Sequence, residues 1–302
     1  MRSVSFIGYG EFAHALSCGL REAGVDLQAY VRPRGDVAAA DVRRDRMQSA
    51  GVRPAESPGA AVAGVDVVIA AVPASSAGSV AEACAPHLES EQLYVDPSSS
   101  LPIAKRHAAE LVERAGAAYV DAAVLGTVVT AGAGVPMLVA GSGAARWSDE
   151  ASAVGLNVTA IAGAAGDAAL VKLLRSVYMK GRDALVLEML LAARRHGVHE
   201  AVLASIGGAG EQVAFPSLAE RVMCSLAVYA DRRADELADA ASLVRDVGIE
   251  PLMAEAGETR LRLLAESGVR ARFGGERPRD LAEVLSCLEA LESERSDIAP
   301  AG

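Results

Sequence analysis

Short apolar runs alternate with alanine-rich helical stretches through about residue 162, a pattern that predicts a sheet with helices on both faces. The runs fall at 4–7, 27–31, 67–72, 93–95, 118–121, 137–140 and 158–161, and their unbroken apolarity fits parallel strands buried on both sides. Beyond Gly166 the strand pattern stops. A helical pattern then fills 167–195, with Gly181 as its internal glycine. Arg194, Arg195 and His196 place positive charge in its last turn, and Gly197 suits the left-handed residue that ends a helix. Further helices are expected at roughly 199–207, 216–229, 231–247, 251–267 and 278–293. The pattern therefore predicts a doubly wound, mainly parallel sheet over 1–163, joined by a long interdomain helix to an all-helical bundle over 164–302. Such a helix would form one wall of a cleft.

The first apolar run leads into Gly8-Tyr9-Gly10-Glu11-Phe12-Ala13, a G-x-G-x-x-A turn between strand and helix. Gly8 permits the tight turn, Gly10 lets the backbone approach a pyrophosphate, and Ala13 lets the helix pack closely on the strand. The amides at the helix start supply donors and the positive end of a dipole. This motif makes the sheet domain an α/β Rossmann domain, and its glycines with Tyr9, Glu11 and Phe12 are candidate cofactor contacts. After the second run, Arg32 and Arg34 stand where an NAD-binding chain carries an acid. Guanidinium groups suit a 2′-phosphate, so NADP is expected over NAD. Val72, Pro73 and Ser98 complete the expected cofactor set.

The net charge of −10 argues against nucleic acid and anionic membrane partners, and no apolar stretch reaches membrane-spanning length. The start shows no secretory pattern, so a cytoplasmic location is expected. Cys18, Cys84, Cys224 and Cys287 are scattered and read as buried reduced thiols. The five histidines show no ligand spacing, so no metal is expected.

Three further segments make the chain resemble the β-hydroxyacid dehydrogenase superfamily. That group includes 3-hydroxyisobutyrate, 6-phosphogluconate and tartronate semialdehyde dehydrogenases and, more distantly, imine reductases. Asp96-Pro97-Ser98-Ser99 resembles its D-x-S-T loop beside the nicotinamide. Asp121-Ala122-Ala123-Val124-Leu125-Gly126-Thr127 is similar to its D-A-P-V-S-G-G segment, with Leu125 in place of the carboxylate-binding serine and Thr127 in place of the second glycine. Lys172, in a stretch resembling G-x-x-x-x-x-K-x-x-x-N, matches the family's catalytic acid/base, and Ser176 stands at its asparagine position. Tyr178-Met179-Lys180-Gly181 and the Tyr229 to Glu236 stretch resemble a poorly characterised branch with a divergent helical domain.

The resemblance implies hydride exchange with an alcohol or carbonyl on a small substrate bearing an acid group. Ser99, Leu125, Gly126, Thr127, Ser176 and Lys180 are the expected substrate contacts. Lys172, Ser176 and Lys180 share one stripe at helical spacing, flanked by apolar residues that suggest a mostly buried helix. Arg175 or Lys180 is expected to depress the Lys172 amine. An imine reductase and a non-catalytic NADP-binding protein are the rival functions. A surplus of apolar residues in the helical half, among them Val202, Leu203, Ile206, Val222, Met223, Leu226 and Val228, points to a homodimer.

Overall fold

The computed structural model describes residues 1–32, 37–206 and 213–298. The chain divides into two compact units, the first ending at Val177 and the second starting at Tyr178. The first holds an eight-stranded sheet. Its strands are β1 (Ser3–Ile7), β2 (Asp26–Tyr30), β3 (Arg53–Pro54), β4 (Val67–Ile69), β5 (Leu93–Asp96), β6 (Ala118–Val124), β7 (Met137–Ala140) and β8 (Val158–Ala160). They lie in the order β3-β2-β1-β4-β5-β6-β7-β8, so the direction of winding reverses beside β1. Ligands of open α/β sheets bind at such a reversal.

Alternate residues of each central strand feed opposite layers of core, as the two-residue strand period requires. Phe6, Ile69, Val95 and Val120 face one layer with Leu16, Leu20 and Trp147. Ile7, Val68, Tyr94 and Tyr119 face the other with Val112. Each such fully buried apolar side chain stabilises the fold by about 1.5–3 kcal/mol. Seven helices cover or connect the strands: α1 (Glu11–Glu22), α2 (Val37–Ser49), α3 (Pro58–Val62), α4 (Ala74–Cys84), α5 (Pro102–Arg114), α6 (Val128–Ala131) and α7 (Ala144–Ser152).

The structure departs from the sequence pattern in places that have local causes. The run at 67–72 yields a strand only to Ile69, because tight turns from Ala71 N–H to Ile69 O (3.0 Å) and from Val72 N–H to Ala70 O (2.9 Å) fold the chain aside. β6 runs past Asp121 to Val124 and pairs antiparallel with β7. Their connection contains only the one-turn α6 and a 3-10 turn, too little for a parallel crossover. β3 escaped notice because it is two residues long and reads as polar.

Helix α8 (Asp167–Arg195) occupies the expected span and ends as expected. Gly197 has φ 75, with Gly197 N–H donating to Arg194 O and Val198 N–H to Ala193 O. The unit boundary lies inside this helix rather than at residue 163, because its first turn packs on the sheet: Ala168 is buried with Ala123 and Ala140. The flanks are not buried as expected. Leu174 and Val177 are 62% and 73% exposed, because apolar residues ring the helix and the sheet covers one side only.

The second unit continues with α9 (His199–Ile206), α10 (Phe215–Asp246), α11 (Leu252–Ala265), α12 (Val269–Arg272) and α13 (Leu281–Ile298). The two helices expected at 216–229 and 231–247 follow end to end in α10, with a kink between them where Tyr229 has non-helical backbone. Cys224, Ala227, Val269, Val284 and Leu291 form its core. Among the described residues no helix is long and apolar enough to cross a membrane.

Candidate active site

The turn after β1 is built for close approach. Gly8 has φ +87, and a Cβ there would lie 2.5 Å from Ala71 O and 2.8 Å from Val72 Cγ1, so glycine is required sterically as well as conformationally. A Cβ on Gly10 would meet nothing within 4 Å, which leaves open space against the start of α1. Ala13 is fully buried under that helix. Gly8, Gly10, Arg32, Val72 and Pro73 line one cavity of about 720 Å³, with Arg43 and Arg46 of α2 on its wall. An open glycine turn at a helix N-terminus, followed by arginines, fits the pyrophosphate and phosphorylated ribose of a dinucleotide.

Two further expected contacts are Tyr9 and Arg34. Tyr9 reaches this cavity, but its ring is buried edge-on against Phe6 and His14, so any contact falls to its backbone. Arg34 lies outside the described residues. Cys84 also lines the cavity, and burial pushes its thiol pKa up to about 12, which makes it inert at neutral pH. Cys18 is exposed and Cys287 half-buried, contrary to the expectation of four buried thiols.

A second cavity of about 400 Å³ shares Gly10, Ala71 and Val72 with the first and adds Glu11, Phe12, Ser99, Gly126, Thr127 and Lys172. Four loops at the C-terminal edge of the sheet and the first turns of α8 thus meet at one place. The Lys172 amine donates to Ser99 Oγ at 2.9 Å. Burial holds its pKa below the ordinary lysine value, the charge on Lys105 lowers it further, and Asp121 pulls the other way. The cation acting on it is therefore Lys105, not the expected Arg175 or Lys180. Lys180 is exposed and belongs to the second unit.

The remaining expected residues separate by orientation. Ser98 is buried, its hydroxyl 2.8 Å from Ser100 Oγ and its N–H donating to Asp96 Oδ1, so it faces inward while Ser99 faces the cavity. Leu125 is half-buried against the Ala123, Ala140 and Ala168 cluster and is not among the residues that line the second cavity. Thr127 lines the cavity, but its hydroxyl accepts from Val129 N–H and caps α6. Ser176 donates to Lys172 O within its own helix. Sequence reasoning missed Arg43, Arg46 and Lys105. A signal for Lys105 was present: the chain has three lysines among its 29 Lys and Arg residues, and two of them meet here.

A Rossmann sheet with a glycine cradle at its winding reversal, opening onto a lysine-bearing cavity, defines a nucleotide-dependent oxidoreductase fold. The chain belongs to the family of the NAD binding domain of 6-phosphogluconate dehydrogenase, whose model matches residues 3–155. Residues 193–264 match a domain of unknown function. A solved conserved hypothetical protein from Sinorhizobium meliloti 1021 is 29% identical, with 96% of this chain and 97% of that one covered and a TM-score of 0.61. A conserved protein of unknown function, described as structurally similar to 3-hydroxyacid dehydrogenases, is 28% identical over 87% of this chain and 98% of its own, at TM-score 0.60. The imine reductase from Myxococcus stipitatus, solved with NADP+, has the same fold at 17% identity, TM-score 0.73 and coverage of 94% and 98%. The first unit is thus an NAD-binding domain of the 6-phosphogluconate dehydrogenase family.

Proposed function

We propose that this chain is an NADP-dependent oxidoreductase that exchanges a hydride with an alcohol or carbonyl on a small acid-bearing substrate, with Lys172 as its proton donor and acceptor. One observation carries the reading: an amine with lowered proton affinity lines a cavity that shares Gly10, Ala71 and Val72 with the dinucleotide cradle, hydrogen-bonded to a serine hydroxyl. The glycine turn and α1 amides would hold the pyrophosphate, and Arg32, Arg43 and Arg46 the 2′-phosphate. The bound cofactor would supply or take the hydride. Lys172, neutral, takes the proton of a substrate hydroxyl; protonated, it returns one to a carbonyl oxygen. Ser99 orients that amine, and the main chain at Gly126 and Thr127 offers amides toward an acid group. The free thiols suit a reducing compartment, the cytoplasm.

NADPH oxidation measured against a panel of carbonyl acids and cyclic imines tests the reaction class. Turnover of carbonyl acids supports the reading. Turnover of imines alone would assign the chain to C=N reduction, and binding of NADPH without turnover would make it a sensor. With a carbonyl acid in hand, Lys172→Ala should cut turnover by about a hundredfold to ten-thousandfold and leave NADP affinity unchanged. Because alcohol oxidation needs the neutral amine, its rate should rise with pH through the depressed lysine pKa, and carbonyl reduction should fall across the same range.

A further inference from the structure

Lys172 and Ser99 reach the cavity from different segments, yet both segments hang from one buried ion cluster. Lys105, on α5, is fully buried. Its amine donates to Asp96 O at 2.6 Å and lies 3.0 Å from Asp96 Oδ1 and 3.4 Å from Asp121 Oδ1. The two aspartates are register partners on adjacent strands. Asp96 Oδ1 accepts from Ser98 N–H and Oδ2 from the Tyr119 hydroxyl, which fixes the loop that presents Ser99. Asp121 Oδ2 accepts from Gly166 N–H at 3.0 Å and Ala169 N–H at 2.9 Å, which fixes the start of the helix that presents Lys172.

We propose that Lys105 is a positioning residue for Lys172: it clamps the two carboxylates that aim Ser99 and α8 at each other, and it stands as a fixed cation behind the Lys172 amine. This rests on Lys172 being the proton-transfer group. A buried amine between two carboxylates needs no such partner for stability alone, since apolar packing commonly does as well as a buried ion pair. The chain elsewhere uses arginine for almost every cation. Here it uses the compact amine that fits beneath a strand end. Among the described residues, Lys105 of α5 and Asp121 of β6 act on the Lys172 amine, Glu11 at the start of α1 lines the same cavity, Asp96 of β5 pairs with Lys105, and Asp167 and Arg175 belong to α8 itself. Burial and Lys105 disfavour the charged amine and Asp121 favours it, so the two cluster members act in opposite directions.

That opposition gives the test, and three lysines make it readable. The full-length protein is reductively methylated with 13C-formaldehyde, the Lys172 signal is assigned by its loss in Lys172→Arg, and its titration midpoint is followed by NMR. Asp121→Asn keeps an oxygen acceptor for Gly166 and Ala169 and should move the Lys172 midpoint down. Lys105→Met should move it up, toward the ordinary lysine value. If Lys105→Met does not fold, Lys105→Met/Asp121→Asn, which removes one charge of each sign, is compared with Asp121→Asn and should again read higher. A Lys172 midpoint that ignores the loss of Lys105 in both backgrounds, or that moves alike in both single variants, overturns the proposal and leaves the cluster purely structural. The titration needs no substrate. Full turnover by Lys172→Ala would therefore overturn the acid–base assignment without touching this result.

Discussion

The arginines on the cofactor cavity act at the residue scale, and their placement predicts how the chain tells NADP from NAD. Arg32 leaves β2 at the cavity rim, and Arg43 and Arg46 sit one helical turn apart on α2 along the same wall. Hydrogen bonds to a charged group contribute about 1.5–3 kcal/mol each, so Arg43→Ala should weaken NADP binding by about tenfold to a hundredfold and leave NAD binding nearly unchanged. Calorimetric titration with both cofactors checks this, and an equal loss for both would remove Arg43 from the 2′-phosphate site. Arg32 was legible because it follows the second apolar run, where a ribose-reading residue belongs. Arg43 and Arg46 were not, because α2 has little apolar periodicity and the sequence does not say which of its faces meets a cleft. Lys172 was legible by resemblance, whereas Lys105 looked like one more polar position on α5. Its two carboxylates lie on different strands, and only the register of β5 with β6 brings them together. Ser98 and Ser99 were assigned side by side, yet Asp96 turns one inward and leaves the other facing the cavity.

At the scale of elements, α8 does more than connect. Its Glu188 is buried, and the carboxylate accepts from Met253 N–H at 2.8 Å and Ala254 N–H at 3.0 Å, the orphan donors at the start of α11. Pro251, the residue before that helix, offers no side-chain cap, so a distant residue supplies one. Glu188→Ala should destabilise the protein by about 0.5–2 kcal/mol, the usual cost of a lost cap, and Glu188→Gln should recover part of it. Urea unfolding gives the measurement, and an unchanged midpoint in Glu188→Ala would show that water serves those donors as well. The ends of α8 were readable because capping chemistry is local. So was the break inside α10 at Tyr229, because Asp231 reads as a fresh helix start. In the structure Asp231 and Asp235 pair with Arg262 of α11 at 3.2 and 2.8 Å, and Arg232 lies over the Tyr229 ring at 5.5 Å. Exposed pairs of this kind contribute little each, so it is the packing of α10 along α11 that holds the kinked segment in place.

At the scale of the molecule, the second unit exposes more apolar surface than a lone chain should carry, and this bears on its oligomeric state. The surplus lies in part where the sequence suggested, on Leu203 and Ile206, and in part on α8. Val228 is buried and Met223 packs into the bundle core, so these two are used within the chain. Leu185, Leu187 and Leu191 of α8 are 47%, 61% and 46% exposed, and Leu203 and Ile206 of α9 are 53% and 46% exposed. Hydropathy could count these residues but could not say which the bundle would cover, since that depends on tertiary packing. Burying a large aliphatic side chain yields about 1.5–3 kcal/mol, and an exposed set of this size is what an association surface would carry. Closed symmetry makes a second copy of the chain the simplest occupant. Light scattering at micromolar concentration should read the mass of a dimer. Leu187→Glu and Leu191→Glu should shift it toward the monomer while the far-ultraviolet circular dichroism of the helices stays unchanged, because neither side chain is needed by the core of its own chain. A monomer mass for the native protein would refute the dimer. A dimer untouched by both substitutions would place the interface away from α8.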